Sequence, residues 1–310
     1  MRQSTVLVAS LVIATTPRLL EAQARIDTNV VYGMYSGTAL LMDVHHPAAP
    51  NGYGILLIPG NGWHEPLSFD AEPLKNEVGV RGFLGANVLL ENGYTLFSIN
   101  HRSAPAFRYP AAVEDAQRAV RYIRYHADLY GIDPNRIGAV GHSSGGYLVS
   151  LLGVLDGTGG VADDPGPINQ ESSKVQAVVA MAAPTDLTAL ATGTGGAAPA
   201  ELASSFLGTV IAFWREPGAQ LKELSLYAAA SPSSYASPDD PPFLLVHGDK
   251  DDIVPFSQSE LFRQVLTEHG VTVELLRMPN GGHGPELAAD ENAPDHVRAT
   301  VDWFDRHLRD

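Results

Sequence analysis

A succession of short, nearly continuous apolar runs sets the tightest limit on how this chain can fold. Gly54–Ile58, Tyr94–Ile99, Ile137–Val140, Ala177–Met181, Phe243–Val246 and Val271–Leu276 each span only four to six residues. Runs this short and this apolar suit strands buried on both faces, the condition of a parallel sheet. Stretches with helical spacing lie between them. Ala111–His126 sets Val113, Ala116, Val120 and Ile123 on one stripe, and Gly145–Leu155, Gln258–His269 and Pro294–Leu308 repeat the pattern. Val30–Tyr35 and Ala39–Val44 flank Ser36-Gly37 and read as an antiparallel pair. The expected fold is α/β, a mostly parallel central sheet of about eight strands with helices on both faces.

Three segments depart from the alternation. Residues 64–90 form a long connection, 156–173 are rich in Gly, Asp and Pro, and 185–240 are rich in Ala, Gly, Ser and Pro. Insertions of this length at strand ends often serve as lids or substrate walls. No repeat of twenty to fifty residues is visible, and no linker marks a second domain, so residues 25–310 read as one catalytic domain.

Charge and cysteine usage narrow the function classes. A formal net charge of -15 disfavours nucleic acid and anionic membrane surfaces as partners. The chain has no cysteine, which excludes a thiolate nucleophile, thiolate metal sites and disulfides. Met1-Arg2, the apolar stretch Thr5–Thr16 and Ala22-Gln23-Ala24 have the layout of a signal peptide cleaved after Ala24, which predicts a secreted or periplasmic protein. The apolar stretch is short for a bilayer span, so stable membrane insertion is not expected.

The most specific chemical signal is Gly141-His142-Ser143-Ser144-Gly145, placed between an apolar run and a helical one. Strand, sharp turn and helix form a nucleophile elbow that lifts a serine hydroxyl above a sheet. A serine at its ordinary pKa needs a base, and in this arrangement the acid and the histidine follow it in the chain. His283, in Asn280-Gly281-Gly282-His283-Gly284-Pro285, lies in a loop after the last strand. His247, His269 and His296 fall at a strand end, a helix end and inside a helix, which are ordinary structural positions. The acid lies in His247-Gly248-Asp249-Lys250-Asp251-Asp252-Ile253-Val254-Pro255. Asp251 is favoured, with Asp249, Asp252 and the more distant Asp186 as alternatives. Two backbone donors are expected to face a developing oxyanion, Ser144 N–H and an amide from Pro59-Gly60-Asn61-Gly62-Trp63, where Asn61 and Gly62 tolerate positive φ. Trp63 and His142 are expected to touch substrate, with core packing as the other place for Trp63. No metal site or cofactor is expected, because His64-Glu65 and His45-His46 lack further ligands and Gly193-Thr194-Gly195 follows no phosphate-loop pattern.

With these residues in place the chain resembles the α/β-hydrolase serine esterases, and within them the bacterial feruloyl-esterase-like and hormone-sensitive-lipase-like carboxylesterases. Arg102-Ser103-Ala104-Pro105, Tyr109–Ala116, Gly141–Gly146, Pro241–Asp251 with Val254-Pro255, and Gly282-His283-Gly284 carry the resemblance over roughly residues 30–308. One stretch departs from it: the group has His-Gly-Gly-Gly-Trp where this chain has Pro59-Gly60-Asn61-Gly62-Trp63. The resemblance implies a carboxylic ester hydrolase acting through an acyl-enzyme on short-chain or aryl/carbohydrate-linked esters, its partner a small-molecule or polysaccharide-linked ester. A serine exopeptidase or amidase and a polyester hydrolase are the other readings of the same triad. Oligomeric state and acyl-chain length stay open.

Overall fold

The computed structural model describes residues 25–76, 82–155, 166–192, 206–207 and 219–309. The expected leader, residues 1–24, lies outside the described residues, as do parts of the three insertions.

All eight expected strands form. They are β1 (Arg25–Tyr35), β2 (Thr38–His46), β3 (Gly54–Ile58), β4 (Thr95–Ile99), β5 (Ile137–His142), β6 (Ala177–Met181), β7 (Phe243–Gly248) and β8 (Val273–Met278). They make one sheet in the order β1-β2-β4-β3-β5-β6-β7-β8. β1 pairs antiparallel with β2, β2 pairs antiparallel with β4, and every other pairing is parallel. β1 begins five residues before the expected Val30, because the ladder with β2 continues down to Arg25 opposite His46.

Strand periodicity divides the core in two. Leu56, Ile58, Ala139, Val178, Ala180, Phe243 and Leu245 join one buried cluster. Their neighbours Ile55, Leu57, Val140, Val179, Met181, Leu244 and Val246 join the other. Successive side chains on a strand point to opposite faces, so runs apolar at every position need a layer on each side. Helices α1 (Ala86–Glu91) and α5 (His296–Phe304) cover the second face. Helices α2 (Ala111–Tyr125), α3 (Ser144–Val154) and α4 (Ser257–Glu268) cover the first.

The strand order also determines where a site can form. The chain leaves β3 for β4 on one side and returns to β5 on the other side of β3. Connections that part in this way open a crevice beyond the carboxyl ends of the two central strands. Pro59–Trp63 leaves β3 at that crevice, and Ser143 leaves β5 beside it. The loop after β4 is fixed to α2 by a buried ion pair. Arg102 Nε donates to Asp115 Oδ1 at 2.9 Å, and Arg102 Nη2 donates to Glu114 at 2.9 Å.

Candidate active site

The turn at Ser143 is built by close approach. Ser143 takes φ 54° and ψ -122° between β5 and α3. A non-glycine residue held in that region is strained, and it persists because its surroundings fix it. Its N–H donates to Met181 O at 2.8 Å. A Cβ on Gly145 would stand 2.0 Å from Ile58 O, and one on Gly141 would stand 2.4 Å from Gly145 O. Both glycines of the motif are therefore required by space.

Three residues far apart in sequence meet at this turn. Ser143 Oγ donates to His283 Nε2 at 2.9 Å, and His283 Nδ1 donates to Asp251 Oδ2 at 2.7 Å. The tautomer follows from the partners: an ionised carboxylate only accepts, so Nδ1 carries the proton and Nε2 accepts from the serine. The Asp251 side chain is fully buried, while the His283 side chain keeps 12% of its surface exposed. A buried acid behind a partly open imidazole orients the ring and stabilises the imidazolium formed when the ring takes the serine proton.

Asp251 is saturated by donors. Its Oδ1 accepts from Ile253 N–H at 2.9 Å and Val254 N–H at 2.8 Å. Its Oδ2 accepts from His247 Nε2 at 3.2 Å as well as from His283. Burial alone raises this carboxyl's pKa, but hydrogen bonds from His247 and His283 outweigh it and hold the group well below the usual carboxylate range. The competing aspartates are engaged elsewhere or exposed. Asp249 pairs with Arg277 at 2.7 Å, Asp186 caps the helix Leu187–Ala191 by accepting from Ala189 N–H at 3.0 Å, and Asp252 is exposed.

His247, at a strand end that suggests a structural position, belongs to the site. It is completely buried, and Ser259 Oγ donates to its Nδ1 at 2.7 Å. Its Nε2–H is shared between Asp251 and Val254 O, the latter at 2.9 Å. The available signal was its position four residues before the acid in a turn that folds back on the strand end.

Three expected roles are revised. His142, expected at the substrate, is instead almost enclosed. It is buried beneath the histidine loop, and its Nε2–H donates to His283 O at 2.6 Å. Burial, reinforced by the neighbouring His283, pushes its pKa down to about 4 and keeps the ring neutral. Trp63 is only 3% exposed, stacked on Phe206 at 4.7 Å with the edge of Tyr147 at 5.0 Å, so it takes the core position. Asn61 N–H is not left free for an oxyanion: it donates to Ser144 Oγ at 3.0 Å. Its side-chain Nδ2 donates to Glu65 Oε1, in the connection after β3, at 3.1 Å. Gly62 N–H, at φ 65°, and Ser144 N–H, in the first turn of α3 where amides have no intrahelical acceptor, remain as the candidate donors.

The BD-FAE family model matches residues 42–266. The chain belongs to the BD-FAE family. The matched span contains Ser143 and Asp251 and ends before His283, so within this family member the histidine is identified by its geometry. Esterase LipQ of Mycobacterium tuberculosis is 32% identical over 220 residues, 70% of this chain and 48% of that protein. Probable carboxylic ester hydrolase LipM of the same organism is 30% identical over 287 residues, 90% of this chain and 60% of that protein. The chain thus spans roughly half the length of the curated relatives it matches. Among solved structures, a truncated carbohydrate esterase from gut microbiota superimposes with a TM-score of 0.73 at 27% identity, covering 94% of this chain and 99% of that one. The BD-FAE-family protein therefore has the α/β-hydrolase fold. Among the described residues no cluster of three or more His, Cys, Asp or Glu could hold a metal ion, and no helix is long and apolar enough to cross a membrane.

Proposed function

We propose that this protein is a serine carboxylic ester hydrolase acting on short-chain or carbohydrate-linked esters. The observation that carries the reading is the unbroken hydrogen-bond chain from Ser143 Oγ through His283 to the buried Asp251. In the first half-reaction Ser143 Oγ attacks the acyl carbon and passes its proton to His283 Nε2. The oxyanion that forms is met by Ser144 N–H and by Gly62 N–H, with the positive end of α3 behind it. The intermediate collapses, the acyl C–O bond breaks, and His283 returns the proton to the departing alcohol. Water then attacks the acyl-enzyme with His283 as base, releasing the carboxylic acid and restoring the serine. No cofactor enters either step.

The substrate class draws support from relatives named as esterases and from the similarity to a carbohydrate esterase. Export is part of the same proposal and rests on the charge, apolar and small-residue pattern of residues 1–24. N-terminal sequencing of the protein from culture supernatant or periplasm tests it, with Arg25 as the expected first residue.

Hydrolysis of p-nitrophenyl esters from acetate to palmitate, with a Ser143→Ala control, tests the activity. Turnover of short chains that falls by about a millionfold in kcat in the control is expected. A folded protein inactive on the whole series overturns the reading.

A further inference from the structure

The oxyanion site joins two segments far apart in the chain, the loop after β3 and the first turn of α3. Their amides must converge on one oxygen, so their relative position has to be fixed to a fraction of an ångström. The loop starts hard against the nucleophile: a Cβ on Gly60 would lie 2.7 Å from Ser143 Cβ. Beyond Gly60, polar contacts of Asn61 tie the loop down. Ser144 Oγ accepts from Asn61 N–H at 3.0 Å and donates to Asn61 Oδ1 at 3.3 Å, closing a reciprocal pair between the two segments. Asn61 Nδ2 reaches the other way, to Glu65 Oε1 at 3.1 Å and, at 3.5 Å, to Ser103 Oγ. Ser103 Oγ in turn lies 3.1 Å from Nδ1 of the buried His101. Pro59 has no hydrogen-bonding side chain to brace the loop from its start.

We propose that Asn61 and the Ser144 hydroxyl are positioning residues that lock the oxyanion loop onto the nucleophile helix, setting the aim of the Gly62 and Ser144 amides. Ser144 joins both functions in one residue. Its N–H is the candidate donor and its hydroxyl holds the partner segment, so any drift of the loop is referred directly to the donor's own backbone. The hydroxyl is 1% exposed with its residue, and it exchanges a donor and an acceptor with the same asparagine, a geometry that fixes direction as well as distance. This inference rests on Ser143 being the nucleophile of an ester hydrolase.

The test compares wild-type protein with Ser144→Ala, Asn61→Ala, Asn61→Gly and the double Ser144→Ala/Asn61→Gly. kcat and KM are measured on p-nitrophenyl acetate, inhibition by a trifluoromethyl ketone reports the oxyanion site, and thermal unfolding controls for folding. The lock predicts that Ser144→Ala lowers kcat by about ten- to a hundredfold with KM within about twofold. The ketone's inhibition constant should rise by the same factor as kcat falls. The double variant should be no slower than its slower single, because both remove one device. Asn61→Ala keeps the backbone donor and removes the side-chain arms, so it tests the lock even if another variant fails to fold; about a tenfold loss in kcat is expected. Full kcat in both alanine variants, or single effects that multiply in the double, overturns the lock. Wild-type turnover that survives Ser143→Ala overturns the hydrolase reading instead, and the two failures are thereby told apart.

Discussion

His247 and Asp251 meet through the same carboxylate oxygen that receives the imidazole of His283, at 3.2 Å from His247 and 2.7 Å from His283. One acid oxygen thus lies between two rings, one fully buried and one open to the crevice. His247→Ala leaves that oxygen, Val254 O and the Ser259 hydroxyl with a lost partner. Leaving buried polar groups unpaired costs about 1–3 kcal/mol, and a similar loss at the acid slows catalysis by about ten- to a hundredfold. Measured kcat on p-nitrophenyl acetate should fall within that range while KM stays near wild type. A variant that merely unfolds at lower temperature with unchanged kcat would show that His247 only fills space.

The identity of the acid separates cleanly. Asp251→Asn preserves shape but presents an amide to His283 Nδ1, favouring the wrong tautomer, and kcat should drop by about ten-thousandfold. Asp249→Asn breaks a pair with Arg277, whose side chain is 64% exposed, and should leave kcat within about fivefold. Reversal of these two results would move the acid to Asp249.

Stability should weaken on mild acidification. Burial pushes both His101 and His142 down to about 4 from an ordinary 6.5. As pH falls through about 6.5, the unfolded chain takes up a proton at each ring and the folded protein does not until about 4. The unfolded state therefore binds more protons across that window, and stability declines from pH 6.5 to 4, by about 3 kcal/mol per ring at the full shift. Above 6.5 this contribution is flat. Urea unfolding at pH 8, 6.5, 5 and 4 reads it, and His142→Gln should show a shallower decline than wild type. Parallel curves for the two proteins would remove His142 from the account.

Much of this was legible in the residues, and the exceptions share a cause. Six strands were legible as continuous apolar runs, which suit a doubly covered sheet, and β1 and β2 as a pair flanking the Ser36-Gly37 turn. Ser143, Asp251 and His283 were legible because each sits in a turn of distinctive composition immediately after a strand. The contacts of His247, His142 and Asn61 are not legible in the same way. A pattern along the chain says which side chains face a core, but a hydrogen bond across two loops depends on rotamers and on the path of both loops. Asn61 was expected to offer its amide because the loop could turn inward; it does turn, and Ser144 Oγ takes the amide.

The ion pair after β4 is a structural support that activity assays alone would miss. Arg102 and Asp115 side chains are 3% and 2% exposed. Asp115→Ala leaves a guanidinium buried with one fewer partner and should cost about 3–5 kcal/mol, a fall in Tm of about 10 °C. Differential scanning calorimetry checks this. A shift under 2 °C, on the order of half a kcal/mol, would mean Glu114 alone suffices.

Ser143 follows β5, Asp251 follows β7 and His283 follows β8, the far edge of the sheet. A nascent chain emerging from a ribosome carries its serine long before its base, and the two cannot meet until the last strand has docked. On the proposed hydrolase function, competence arrives all at once and late, so unfinished or misassembled chains hold an inert hydroxyl. Turnover itself then reports how many molecules have completed the sheet.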